Sequence, residues 1–174
     1  MQSRPYFLVI PSCVNEEQMI IGIVAIANNF AIGKDGKLPW HYPADLKHFK
    51  ATTTGQALAM GTNTWRALGK TLPNRLNIVL SRSAQIDTAP DLVFLRNENE
   101  AADLAKYLKC DLFVIGGAKT YATFTDMIDA WIVTRIPINV QDADVFMPSD
   151  FLDGFSVVET REIGEGLKVE TFRR

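Results

Sequence analysis

The hydrophobic and polar positions of this chain alternate between short, nearly continuous apolar runs and stretches with helical spacing. Ile20–Ala27 is almost purely apolar and rich in isoleucine, the pattern of a central strand covered on both faces. Shorter apolar runs predict further strands at 57–60, Leu76–Leu80, Leu92–Leu95, 112–115 and Ala130–Ile136. Residues 155–162 and 167–172 flank Gly164-Glu165-Gly166, the signal of a terminal hairpin. Helical spacing is predicted over 43–53, opened by Pro43, and over 63–68, stopped by Gly69. A third helix covers 97–108: Asn97 and Glu100 form a capping pair, and Ala101, Leu104, Ala105 and Leu108 share one face. A fourth covers 118–125. Residues 28–42, with Gly33 and Gly36, read as a loop long enough to suggest a functional role.

Strands alternating with helices imply βαβ units. The expected fold is therefore a single α/β domain with a mostly parallel eight-stranded central sheet, an antiparallel C-terminal hairpin and about four flanking helices. The domain spans 19–174. Residues 1–18 form an extension outside it and are expected to be disordered. Its apolar run, 6–10, is shorter than a signal-peptide core and is followed at once by Pro11, Glu16 and Glu17. The same short run argues against a lipoprotein reading of Cys13. A vector remnant and an upstream start both remain open for this extension.

Composition narrows the class. The 174 residues are 47% hydrophobic and 22% charged, enough for one soluble core, and the net charge of −2 carries no footprint for nucleic acid or a membrane surface. Cys13 and Cys110 match neither a metal spacing nor a disulfide framework, which favours reduced thiols and a cytoplasmic protein. His41 and His48, with no cysteine nearby, make no zinc site and are read as facing solvent. No metal is expected, and the chain is read as a monomer.

The candidate chemistry begins at Leu38-Pro39-Trp40-His41-Tyr42-Pro43-Ala44-Asp45-Leu46-Lys47-His48-Phe49. Two prolines bracket a tryptophan, and the second opens a helix with one carboxylate in its first turn. An acid there is in general a capping or dipole residue. Leu46 and Phe49, three apart, are expected to turn an apolar face beside Asp45, giving an acid at the rim of an apolar pocket. Such a site suits a flat, nitrogen-rich heterocycle that gives two parallel hydrogen bonds to one carboxylate. Small polar residues then follow three strands directly: Gly61-Thr62-Asn63-Thr64, Ser81-Arg82-Ser83 and Gly116-Gly117. In an open sheet ligands bind beyond the carboxyl ends of the strands, so these loops make a dinucleotide site credible. Arg82 between two hydroxyls suits a phosphate. Arg75 at a strand start is either a solvated side chain or a bidentate fork for a carboxylate.

The block around Asp45 closely resembles the substrate signature of the dihydrofolate reductase family, and four further blocks follow in family order over residues 20–172. The resemblance implies NADPH-dependent reduction of 7,8-dihydrofolate to tetrahydrofolate, with hydride delivered to C6 and a proton to N5. It implies that Asp45 binds the pterin, that Thr134 orients Asp45, and that Leu38 and Trp40 belong to a mobile loop closing over the nicotinamide. Ala25, Leu46, Phe49, Leu72 and Ile115 would line the substrate site, and Arg75 would anchor the glutamate tail. The cofactor would meet Ala25, Ile32, Gly61, Thr62, Asn63 and Thr64, then Ser81, Arg82 and Ser83. Further along the chain it would meet Ile115, Gly116, Gly117, Ala118, Lys119, Thr120 and Tyr121, with Tyr121 near the nicotinamide.

One departure stands out: Thr62 occupies a position where the family commonly has a basic residue. With no acid near Ser81-Arg82-Ser83 to take a free ribose hydroxyl, NADPH is favoured over NADH. Two rivals remain open at this point. The related pyrimidine reductase of riboflavin synthesis shares the fold but lacks the Asp45 block. A catalytically silent pterin or nucleotide carrier would need neither the intact acid nor both glycines.

Overall fold

The structure is a computed structural model and describes residues 17–83 and 89–174. The elements in chain order are β1 (Ile20–Ala27), β2 (Ala31–Gly33), α1 (Pro43–Thr53), β3 (Ala57–Gly61), α2 (Thr62–Leu68), β4 (Leu76–Leu80) and β5 (Leu92–Leu95). They continue with α3 (Glu98–Leu108), β6 (Leu112–Val114), α4 (Ala118–Thr123), β7 (Ala130–Ile136), β8 (Val145–Phe146), β9 (Ser156–Gly164) and β10 (Leu167–Arg173).

Eight strands form one sheet in the order β5-β4-β3-β6-β1-β7-β10-β9. The pairs from β5 across to β7 are parallel, and β10 lies antiparallel between β7 and β9. β1 sits between β6 and β7, with Gly22 opposite Val114 on one side and Ala25 opposite Thr134 on the other. The chain leaves β1 toward one edge, returns beside it as β6, and crosses to its other flank as β7. Connections that diverge from a central parallel strand open a crevice at its carboxyl end.

β1 is apolar throughout because both of its faces are covered. Val24 and Ile26 join the core beneath α3 and α4, with Ala101, Ala105, Tyr121 and Phe124. Ile21 and Ile23 join the opposite core, against Phe49 of α1 and Trp65 of α2. Gly22 interrupts the run for a steric reason: a β-carbon there would lie 2.3 Å from the Trp131 ring.

Element type and order agree with the sequence reading, and Asn97 caps α3 by accepting from Glu100 N at 3.0 Å. Differences fall at edges and loops. β6 ends at Val114 rather than Ile115, and α4 at Thr123 rather than 125. The stretch 28–42 is not all loop: β2 pairs with β8. These strands are three and two residues long, too short to leave a periodic pattern. The hairpin turn holds positive φ at Glu165 (54°) and Gly166 (75°), as a tight two-residue turn of this hand requires. The expectation for residues 1–18 falls almost wholly outside the described residues.

Candidate active site

A cleft of about 500 Å3 opens at the carboxyl ends of β1 and β7. Ile23, Val24 and Ala25 form its floor, α1 and the loop before it form one wall, and Ile115-Gly116-Gly117 with Tyr121 form the other. Pro43 stands in the first turn of α1 and places Asp45 there, while Tyr42 at the cap position makes no side-chain cap bond. The cap comes instead from the hairpin turn, where Glu165 Oε2 accepts from Ala44 N at 2.7 Å.

Asp45 is 8% exposed and is the only carboxylate lining the cleft among the described residues. Burial pushes its carboxyl above the ordinary aspartate value, and the hydrogen bond from the Thr134 hydroxyl pulls the other way. Burial prevails. Thr134 reaches this acid because β7 pairs with β1, which sets it opposite Ala25 in the cleft floor. Trp40 lines the same cleft, and its indole Nε1 is buried with no acceptor among the described residues. Leu38 and Leu46 line the same cleft and are 50% and 47% exposed. Leu46 and Phe49 both line this cleft beside Asp45. The buried residues of α1 are Asp45, His48 and Thr53, with Phe49 half-buried beside them, and Leu46 borders the open cleft.

His48 corrects the sequence reading. It is buried, 7% exposed, because it follows Asp45 by three residues and so shares its inward face. Burial, aided by the Arg161 charge, holds its imidazole below the ordinary histidine value. His41 is exposed, as expected.

The opposite wall brings glycines against backbone. Gly61 N donates to Gly116 O at 2.9 Å, and Gly116-Gly117 is a cis peptide. A β-carbon on Gly61 would lie 2.7 Å from Thr120 Oγ1, and one on Gly116 would lie 3.2 Å from the Tyr121 ring. Only bare backbone fits there. Gly61 and Gly117 are also the caps of α2 and α4, so free N–H groups of both helices face the same region. The Tyr121 hydroxyl donates to Ile23 O at 2.7 Å, and burial pushes its phenol up. Ile32, Asn63 and Thr64 complete this end of the cleft.

Beyond Gly61 lies a second, more polar cleft of about 850 Å3. Thr62, Ser81, Arg82, Ser83, Lys119 and Thr120 line it as expected from the sequence, and so do Arg66 and Arg96, which sequence reasoning missed. Arg66 follows Thr62 by four residues on α2, a spacing that puts both on one side of the helix. That spacing was the available signal. Three arginines and a lysine stand there against one acid, Glu98.

Arg75 is neither solvated nor in the lining of either cleft. It is 5% exposed, with Nη1 donating to Thr53 Oγ1 at 3.1 Å, Nε donating to Pro73 O at 3.0 Å, and its guanidinium 5.9 Å from the Phe49 ring centroid. Leu72 and Ala118 also lie outside both linings. Leu72 packs in the core beneath α1 and α2, and Ala118 opens α4.

The loop carrying Leu38 and Trp40 is held at its base by β2 and β8. Lys34 pairs with Asp142, and Asp35 N donates to Asp144 Oδ2 at 3.0 Å.

The profile of the family described as dihydrofolate reductase matches residues 19–171. The chain belongs to the dihydrofolate reductase family. It is 36% identical over 148 residues to a type 3 dihydrofolate reductase of Salmonella typhimurium, covering 81% of this chain and 86% of that one. It is 37% identical over 123 residues to the dihydrofolate reductase of Bacillus subtilis, covering 68% and 69%. A solved dihydrofolate reductase from Enterococcus faecalis, complexed with NADP(H) and RAB-propyl, superposes with a TM-score of 0.81 at 28% identity. That match covers 90% of this chain and 96% of the other. The eight-stranded sheet, the four helices and both clefts thus belong to a reductase that uses NADPH.

Proposed function

We infer that this chain reduces 7,8-dihydrofolate to 5,6,7,8-tetrahydrofolate with NADPH, and that the two clefts divide the work. The first takes the pterin and the nicotinamide; the second takes the adenosine end of the cofactor. The observation that carries the reading is Asp45, the lone carboxylate, buried and oriented by Thr134, in a mostly apolar cleft. A carboxylate so placed accepts two parallel hydrogen bonds from a ring N–H and an exocyclic amine.

The residues present fit the cofactor. Side chains are excluded at Gly61 and Gly116, beside Gly117, which lets a pyrophosphate approach the backbone, with Thr64 nearby as a hydroxyl donor. The cationic second cleft suits the 2′-phosphate. When bound, NADPH supplies the hydride for C6 of the pterin.

Every other contribution belongs to the chain. Asp45 binds the pterin and favours its protonated form, while water carries the proton to N5, because the carboxylate grips the opposite edge of the ring. The buried Trp40 N–H is a donor for that polar edge or its water. Leu38 and Trp40 cover the nicotinamide and exclude solvent. Tyr121 is fixed by Ile23 O beside the nicotinamide. Phe49, Leu46, Ala25 and Ile115 hold the heterocycle by apolar contact. Arg75 is held by Thr53 and Pro73 with its guanidinium beside the Phe49 ring, outside the cleft lining, and the glutamate carboxylate is assigned to it on the family resemblance.

The site described above needs no residue from a second chain, and we propose a monomer acting on small molecules; the cysteine spacing, which fits no disulfide framework, favours the cytoplasm. No helix among the described residues is long and apolar enough to cross a membrane. Purified protein mixed with dihydrofolate and NADPH, followed by cofactor absorbance, tests the reading. Steady oxidation dependent on dihydrofolate is expected; its absence, with both ligands still binding, would leave a silent carrier instead.

A further inference from the structure

The hairpin β9–β10 grips α1 at two points. Glu165 caps the helix at Ala44 N, and one turn further on Arg161 Nη2 lies 3.0 Å from His48 Nδ1. A guanidinium has donors only, so Nδ1 must be the acceptor and the ring proton must sit on Nε2. The Thr52 hydroxyl, 3.2 Å from the same Nδ1, then acts as a donor as well. Nε2 carries a buried N–H that no acceptor among the described residues takes, and His48 lines the cleft three residues beyond Asp45. Buried donors are nearly always paired, so an unpaired one in a ligand cleft calls for a functional explanation.

We propose that Arg161 is a positioning residue for the substrate cleft. By donating to His48 Nδ1 it fixes the Nε2–H tautomer and presents a hydrogen-bond donor from the cleft wall, one helical turn from Asp45. This rests on the reading of the cleft as the dihydrofolate site. The donor serves an acceptor atom of the bound heterocycle, directly or through one water, and so contributes to substrate affinity rather than to hydride transfer. Without Arg161 the ring is free to turn its proton to Nδ1 and donate to Thr52, leaving a lone pair toward the cleft.

The test joins a spectroscopic readout to a kinetic one. The chain has two histidines, so 15N-labelled full-length protein with and without His41→Gln assigns the His48 ring nitrogens in a long-range 1H–15N correlation. The Nε2–H form is expected in the wild type, and loss of that single form in Arg161→Leu. KM for dihydrofolate should rise about five- to tenfold in Arg161→Leu, the effect of one hydrogen bond. Turnover and KM for NADPH should stay within about twofold, as loss of uniform binding dictates. Arg161→Lys, which keeps a cationic donor, should recover most of the substrate affinity. A wild-type His48 with its proton on Nδ1 would overturn the proposal, as would an Arg161→Leu protein with unchanged KM for dihydrofolate. Wild-type protein that shows no turnover contradicts the function proposed for the cleft. The tautomer, read without substrate, then still tests Arg161's hold on His48.

Discussion

At the scale of single residues, Asp45 combines a functional gain with a cost to stability. Burial raises its folded-state carboxyl above the ordinary value of 3.8. The folded chain therefore keeps its proton through a pH window in which the unfolded chain has released it, and stability falls as pH rises through that window. Asp45→Asn keeps the shape and an acceptor for the Thr134 hydroxyl but no charge. Its denaturant midpoint near neutral pH should exceed that of the wild type, and the gain should vanish as pH falls toward 3.8. Turnover near neutral pH should drop roughly a hundredfold or more while NADPH still binds, with partial recovery at lower pH as solvent delivers the proton. Near-normal turnover in this variant would sink the role given to Asp45. Arg82 is tested the same way. Arg82→Ala should weaken NADPH binding about tenfold and leave NADH nearly unchanged, since one charge-assisted bond is lost. Equal losses for both cofactors would make Arg82 structural, with Arg66, Arg96 and Lys119 next to examine.

At the scale of elements, α1 depends on a distant partner for its first turn. Tyr42 offers no cap, and the carboxylate that replaces one arrives from 121 positions along the chain. Glu165→Ala should cost about 1 kcal/mol, the usual worth of a cap, and Glu165→Gln, which keeps an acceptor, should cost less. Equal midpoints for the wild type and Glu165→Ala in urea would show that Ala44 N is served by solvent instead. The pattern of 43–53 announces this helix, yet which of its residues turn inward depends on β9, a strand more than a hundred positions away. That is why His48 reads as exposed in sequence and is buried in the fold.

At the scale of the whole molecule, Met19 is tied to the start of β6. Its N–H donates to Asp111 Oδ1 at 2.9 Å, its carbonyl accepts from Leu112 N at 2.9 Å, and the family match starts at the same residue. A chain starting there keeps both bonds and should melt within a few degrees of the full chain, with equal turnover; a large loss in either would show that the segment 1–18 contributes to the domain. The sequence alone determined the class of every long element, because a strand covered on both faces must be apolar throughout and a half-buried helix must repeat its apolar residues every three or four positions. It also determined which loops carry small polar residues after strands, and with them the glycine wall and the Ser-Arg-Ser face. Tertiary structure decided what local pattern cannot encode: the pairing of β2 with β8, the burial of His48 and Arg75, and the gathering of Arg66 and Arg96 beside Arg82. It also decided which influence governs Asp45. Each of these depends on atoms brought together by chain crossing. Burial, hydrogen bonding and charge act through distance in space, and sequence separation records none of it.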